Sequence, residues 1–203
     1  MSVAARPDWQ QRVEALGFLW HTAGGEPYWC EDAFYRFTAA EIDRISDACE
    51  ELYRLFVAAG THIVTHRRFA EFGIPDWCVP LIERAWADQP PALDYGRFDL
   101  GIGRDGAIKL FEFNCDTPTS LVEASVIQWF WKEDVFPRLD QFNRIHEALV
   151  DRWQAIAPRL PGGQSRATGR LPRTPSCRHS PHLCSSPQHW AFTVLRGNAS
   201  LAG

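Results

Sequence analysis

The chain has 203 residues, 45% hydrophobic and 23% charged, with a formal net charge of −4, which allows one domain with a sizeable core plus a tail. No run of about 18 apolar residues occurs, and the first twenty residues lack the basic-then-apolar order of a signal peptide, so the expectation is a cytoplasmic protein with no membrane partner. All 25 acidic residues lie at or before Asp151, whereas five arginines, three histidines and no acid occur from Gly163 onward. The two parts therefore differ in the sign of their charge.

In chain order, Pro7 to Leu16 reads as a short helix, with proline at the first helical position and Gly17 just past the end. The segment FLWHTAGGEPYWCE holds two short aromatic runs around Gly24-Gly25, a hairpin signal. In TAAEIDRISDACEELYRLFVAAG, Thr38 and Glu41 form a capping box. Ile42, Ile45, Cys49, Leu52 and Phe56 recur at helical spacing, and Gly60 is expected to end the helix. Between Arg67 and Gln89 a short helix, a break at Gly73 to Pro75 and a second helix with Leu81, Ile82, Ala85 and Trp86 are expected. DQPPALD then interrupts the pattern. Two strand-like runs follow, YGRFDLGIG and AIKLFEFN, joined through Asp105-Gly106. TSLVEASVIQWFWKED and FPRLDQFNRIHEALVDRWQAIAP both read as helices, the first opened by a capping box of Ser120 and Glu123. This order predicts an α/β (α+β) fold, a mixed antiparallel sheet with flanking helices.

The six cysteines show no C-x-x-C spacing and read as reduced, mostly buried thiols. His62 and His66 could share a helical face, but no third ligand accompanies them, so a solvated pair beside Arg67 and Arg68 is expected. From Leu160 periodicity is lost in a Pro-, Ser-, Arg- and His-rich stretch that cannot bury enough apolar surface to offset chain entropy. The expected division is a domain over 1–160 and a disordered basic tail over 161–203, whose abrupt change of composition resembles an out-of-frame translation. The tail's arginines have no interleaved aromatics or folded motif behind them, so no nucleic-acid partner is expected.

The chemistry concentrates in the predicted hairpin. With Asp105-Gly106 as a two-residue turn, cross-strand partners have numbers summing to 211, which sets Asp99 opposite Glu112 and Arg97 opposite Asn114 on one face. Phe98, Leu100, Ile102, Lys109, Phe111 and Phe113 take the other. Directly opposed carboxylates repel, and a cation between them removes that penalty. Asp99, Glu112 and the Asn114 carbonyl make an all-oxygen set suited to Mg²⁺, an ion that takes one or two carboxylates and completes its shell with water and phosphate. The alternative is an Arg97–Asp99–Glu112 ion network on a solvated sheet face. The strand ends in NCDTPTS, which places the hydroxyls of Thr117, Thr119 and Ser120 at a helix start that favours an anion. Tyr95 adds a polar group at the edge.

YGRFDLGIGRDGAIKLFEFNCDTPTSLVEASVIQWFW, with its R-F-D…E-[FY]-N-x-D-[ST] pattern, resembles the glutathionylspermidine synthase-like proteins, and PYWCEDAFYRFTAAEID is similar to the same family's N-terminal region. The resemblance covers about residues 7 to 160. It implies an ATP-grasp-type ligase that phosphorylates a carboxylate to an acyl phosphate and joins it to an amine, with Mg²⁺ and ATP as cofactors and with a glutathione-like peptide and a polyamine-like amine as substrates. Carried over by position, Arg97 stabilises negative charge in catalysis, Asp99, Glu112 and Asn114 bind magnesium, and Thr117 and Thr119 lie against the thiol peptide. The nucleotide-binding lysines of such ligases belong where the tail stands, and the chain holds only Lys109 and Lys132, so an incomplete ligase, inactive alone, is expected. A non-catalytic peptide- or metal-binding domain that keeps the fold is the alternative. A metal-dependent hydrolase or glycosidase built on Asp99 and Glu112 ranks last, because directly opposed strand residues stand at or below the short end of the gap of about 5–9.5 Å that glycoside cleavage needs, and no catalytic histidine is nearby.

Overall fold

The computed structural model describes residues 1–87, 95–116 and 118–159, together with the backbone of 191–192. Its elements in chain order are α1 (Trp9–Ala15), β1 (Thr22–Ala23), β2 (Glu26–Pro27), α2 (Ala39–Thr65), α3 (Val79–Ala87), β3 (Arg97–Ile102), β4 (Ile108–Asn114), α4 (Gln128–Val135), α5 (Ile145–Ile156) and β5 (Ala191–Phe192). Two compact units result, Ala39–Asp94 in one and Met1–Thr38 with Tyr95–Gly203 in the other. Helices with small antiparallel pairings bear out the α+β expectation. Among the described residues no helix is long and apolar enough to cross a membrane.

In the Ala39–Asp94 unit, α2 begins directly after Thr38, as the capping box requires, and buries Ile45 and Cys49. Phe56, expected inside, is exposed. The helix does not stop at Gly60. A Cβ there would stand 2.4 Å from the Trp86 ring of α3, so this glycine serves the close approach of two helices, and packing overrides its weak helix propensity. The chain breaks instead at Arg67, φ 52°, runs through a 3₁₀ turn at Arg68–Phe72, and breaks again at Gly73, φ 65°. His62 and His66 stack at 4.2 Å between ring centroids, and Arg68 lies 3.1 Å from His62 Nε2. The DQPPALD stretch lies outside the described residues.

Two of the four described cysteines, Cys30 and Cys115, are exposed, which corrects the expectation of mostly buried thiols. Burial pushes the Cys49 thiol up to about 12, and the thiolate is the reactive form. At neutral pH iodoacetamide should therefore alkylate Cys30 and Cys115 in the folded protein and reach Cys49 only after denaturant is added; early modification of Cys49 in a peptide map would contradict its burial.

The other unit starts with residues 1–3 paired against 32–34, through Val3 N–H to the Asp32 carbonyl and Phe34 N–H to the Met1 carbonyl. Helix α1 starts two residues after Pro7, with Asp8 at the cap in a left-handed conformation, φ 52°. Gly17, φ 88°, reverses the chain, and Phe18 enters a core with Val13 and Ile127, flanked by Trp9, Trp29 and Val126. The β1–β2 hairpin turns at Gly24-Gly25 as its sequence indicates.

The β3–β4 hairpin departs from the simple register in one place. Arg97↔Asn114, Phe98↔Phe113 and Asp99↔Glu112 pair as expected, but Leu100↔Leu110, Gly101↔Lys109 and Ile102↔Ile108 are one residue out, with a bulge between. The turn causes it. Gly103 N–H bonds the Ala107 carbonyl and Gly106 N–H bonds the Gly103 carbonyl, so the loop has three residues, with Gly106 at φ 79° in the left-handed slot of such loops. A bulge at Phe111 restores the expected register where the polar side chains stand. Phe111, expected to anchor the apolar face, is 76% exposed, and its ring lies where a Cβ on Gly101 would be 2.5 Å away. Phe98 is buried and meets Phe113 at 4.4 Å between centroids.

Backbone at Ala191–Phe192 pairs in parallel with Arg97 and Phe98; the rest of the expected tail lies outside the described residues. The long helix expected over FPRLDQFNRIHEALVDRWQAIAP is shorter, confined to α5 and a 3₁₀ turn at Ala157–Arg159. Asn143 is the reason for its late start. Its Oδ1 accepts from Ile145 N–H at 3.2 Å, while its Nδ2 donates to the carbonyls of Ala124 and Ser125 at 3.1 Å each. Those two carbonyls belong to a π-helical turn, Glu123–Ile127, that leads into α4, and a wider turn leaves backbone acceptors needing partners.

Candidate functional site

The polar rung of the hairpin stands as the alternation of strand residues requires. Arg97 and Asp99 form a two-pronged ion pair, Nε to Oδ1 at 2.7 Å and Nη2 to Oδ2 at 3.1 Å, with both side chains mostly buried. The hydrogen bond to Asp99 pushes the Arg97 pKa up, and the nearby Glu112 charge adds to it. The remaining guanidinium nitrogen, Nη1, reaches Thr119 Oγ1 at 2.9 Å and the Thr119 carbonyl at 3.3 Å. Arg97 is thereby fixed at three points on two elements, a planar fork held before any anion arrives.

Glu112, directly across from Asp99, is exposed and makes no ion pair among the described residues. Asn114, across from Arg97, accepts from the Asp116 backbone N–H through Oδ1 at 3.3 Å. No group of three or more His, Cys, Asp or Glu side chains able to hold a metal occurs among the described residues, so a cation here has two carboxylates and one amide oxygen to use. Those donors fit a hard divalent ion. Each Asp99 oxygen keeps a second lone pair beyond its bond to Arg97, and the Glu112 carboxylate is exposed.

Thr119 and Ser120 lie beside this rung, and Thr117 is outside the described residues. Ser120 adopts φ 68°, and its carbonyl accepts from Ala124 N–H at 3.1 Å. The expected capping box is not closed by Glu123. That carboxylate turns to Trp20 instead and accepts from Nε1 at 2.9 Å. Around it opens a cavity of about 600 Å³, lined by Trp20, Tyr28, Thr119, Ser120, Leu121 and Glu123 among others. Strand parity could not reveal this second half of the site, because Trp20 and Tyr28 stand about a hundred residues earlier in the sequence; the only local sign was a glutamate on an otherwise apolar helical stretch. Tyr95, expected as a polar edge group, packs instead against the cluster of Ala124 and Ile145. Its hydroxyl is buried without a hydrogen bond among the described residues, and burial pushes its pKa up.

An oxygen-rich rung, an arginine held beside it by Asp99 and Thr119, and an adjoining cavity that shares Thr119 make up the candidate site. Sequence comparison supplies the family. The model described as "Glutathionylspermidine synthase preATP-grasp" matches residues 1–170, and the chain belongs to that family. It is 39% identical over 156 residues to a Haemophilus influenzae protein provisionally named acid–amine ligase, a match covering 74% of this chain and 39% of that protein. It is 33% identical over 96 residues to the glutathionylspermidine synthase of Crithidia fasciculata, covering 45% of this chain and 13% of that one. The chain thus spans well under half the length of either relative.

Proposed function

We propose that this chain supplies the metal-holding and carboxylate-handling part of an ATP-dependent acid–amine ligase of the glutathionylspermidine synthase type, and that by itself it turns over no ATP. The observation carrying the proposal is the Asp99–Glu112 rung, flanked by Arg97 and Asn114, in a chain of this family. The Mg²⁺–ATP complex supplies the phosphoryl group that makes an acyl phosphate of the acid, which an amine then converts to an amide with release of phosphate. Asp99, Glu112 and Asn114 hold the magnesium. Arg97, already oriented by Asp99 and Thr119, faces the charge of the transferring phosphoryl group, a role in which a fixed donor contributes several kcal/mol. With its pKa raised, Arg97 keeps its charge across the whole working pH range. Thr117 and Thr119 lie against a glutathione-like peptide, Ser120 stands at the helix start beside it, and the acceptor is a polyamine-like amine. The setting is cytoplasmic, with neither nucleic acid nor membrane as partner.

Inactivity alone follows from the lysines: of the two in the chain, Lys132 pairs with Glu133 and lies over Trp129 at 4.3 Å, and Lys109 is exposed on β4. A second reading, a non-catalytic binding domain, draws on the Arg97–Asp99 pair, which is satisfied without a metal. Thermal melts with Mg²⁺–ATP, glutathione and spermidine, read alongside ADP release, separate the two. Ligand at ten times its dissociation constant should add about 1.4 kcal/mol of stability, lost in Glu112→Ala, with no ADP formed. Stabilisation unchanged in Glu112→Ala would remove the rung from the site, and steady ADP release would overturn the claim that the chain is inactive.

A further inference from the structure

We propose that the cavity beside Thr119 is a binding site for a primary ammonium group, held by the Glu123 carboxylate between the aromatic walls of Trp20 and Tyr28; which molecule carries that ammonium rests on the ligase reading.

Glu123 is only 8% exposed. Trp20 Nε1 satisfies one of its oxygens, at 2.9 Å, and no cation pairs with it among the described residues. A buried carboxylate without a countercharge is unfavourable, and it lines a cavity large enough for a flexible organic ligand. The cations of this unit that could have served are engaged elsewhere: Arg97 by Asp99 and Thr119, Lys132 by Glu133, Arg6 by Glu31 and Asp134. A negative floor argues against phosphate or carboxylate in this cavity, whatever the helix start alone would favour. Trp20 and Tyr28 are each about half exposed, and aromatic rings attract alkylammonium ions through their quadrupoles. Thr119 therefore divides two territories, with Arg97 for negative charge on one side and Glu123 for positive charge on the other. A ligase of the proposed kind meets primary ammonium twice, on the α-carbon of a γ-glutamyl peptide and on the acceptor amine.

Isothermal titration calorimetry of the whole chain at neutral pH, without nucleotide or magnesium, tests this with spermidine, glutathione and N-acetylglutathione. Binding of spermidine or glutathione is expected, weakened about tenfold or more by Glu123→Gln, which keeps an oxygen for Trp20 while removing the charge. Trp20→Ala, at a half-exposed position, should weaken it about threefold or more. Glutathione binding abolished by N-acetylation assigns the cavity to the peptide's α-ammonium, whereas binding of spermidine alone assigns it to the acceptor. No binding of either probe, or affinity unchanged in folded Glu123→Gln, overturns the proposal; should that variant not fold, unchanged affinity in Trp20→Ala does so. Asp99→Asn keeps ammonium binding under this assignment while losing Mg²⁺–ATP stabilisation, so failure of the cavity and failure of the ligase reading give different results.

Discussion

Arg6→Ala should lower the free energy of unfolding by about 3–5 kcal/mol, the size expected when one partner of a buried ion pair is removed. Glu31 is the group left behind. Its side chain is 4% exposed and that of Arg6 9%. Arg6 reaches it through Nε at 2.6 Å and Nη2 at 3.2 Å, and Trp29 Nε1 adds a third bond at 2.7 Å. Arg6 also reaches Asp134 at 2.7 Å, and Trp131 Nε1 donates to the Glu31 carbonyl at 3.0 Å. Burial works against the Arg6 charge, but the hydrogen bonds to Glu31 and Asp134 outweigh it and raise the pKa. One guanidinium thus ties the segment after β2 to α4. Replacing both partners with apolar residues, as in Arg6→Met with Glu31→Leu, should recover much of the loss, because no buried charge is then orphaned. Urea denaturation decides it: a loss below about 1 kcal/mol for Arg6→Ala would make this network a surface feature.

Phe18→Ala should cost a comparable amount, about 3–5 kcal/mol, for a different reason. The ring is 0% exposed and edge-on to Trp20 at 5.0 Å and to Trp29 at 6.0 Å, with Tyr28 at 6.2 Å. Its removal leaves a void that rigid neighbours cannot close. The same change frees Trp20 and Tyr28, so ammonium binding in the cavity should weaken together with stability. Phe18→Leu fills part of the void and should lose clearly less of both. Chemical denaturation and calorimetry on the two variants would show it, and a Phe18→Ala protein as stable as the parent would mean that the aromatic cluster is not a core.

The polar rung was legible because strand residues alternate: once Asp99 and Glu112 are set opposite, Arg97 and Asn114 must share their face. The bulge was not. A two-residue and a three-residue turn both use Asp105-Gly106, and only Gly103 bonding to Ala107 distinguishes them. Gly60 misled for a related reason, since a glycine after an apolar helical face reads as a stop until a ring from another helix is found over it. Asn143 looked like a helix residue because the carbonyls of Ala124 and Ser125 that it satisfies stand 19 and 18 residues earlier, beyond any local pattern. The cavity was beyond local reading altogether, being assembled from the β1–β2 region and the start of the π-helical turn. Local periodicity thus located the polar rung, and long-range packing made the cavity beside it.

The most direct test is paramagnetic: Mn²⁺, a stand-in for Mg²⁺ with the same preference for oxygen donors, added at substoichiometric concentration to the ¹⁵N-labelled chain. If the rung holds the metal, amide resonances of Arg97 to Asp99 and Glu112 to Asn114 broaden first, and Glu112→Gln abolishes that selectivity. Broadening that begins elsewhere, or that persists at these residues in Glu112→Gln, would contradict the assignment of Asp99, Glu112 and Asn114 as the metal site.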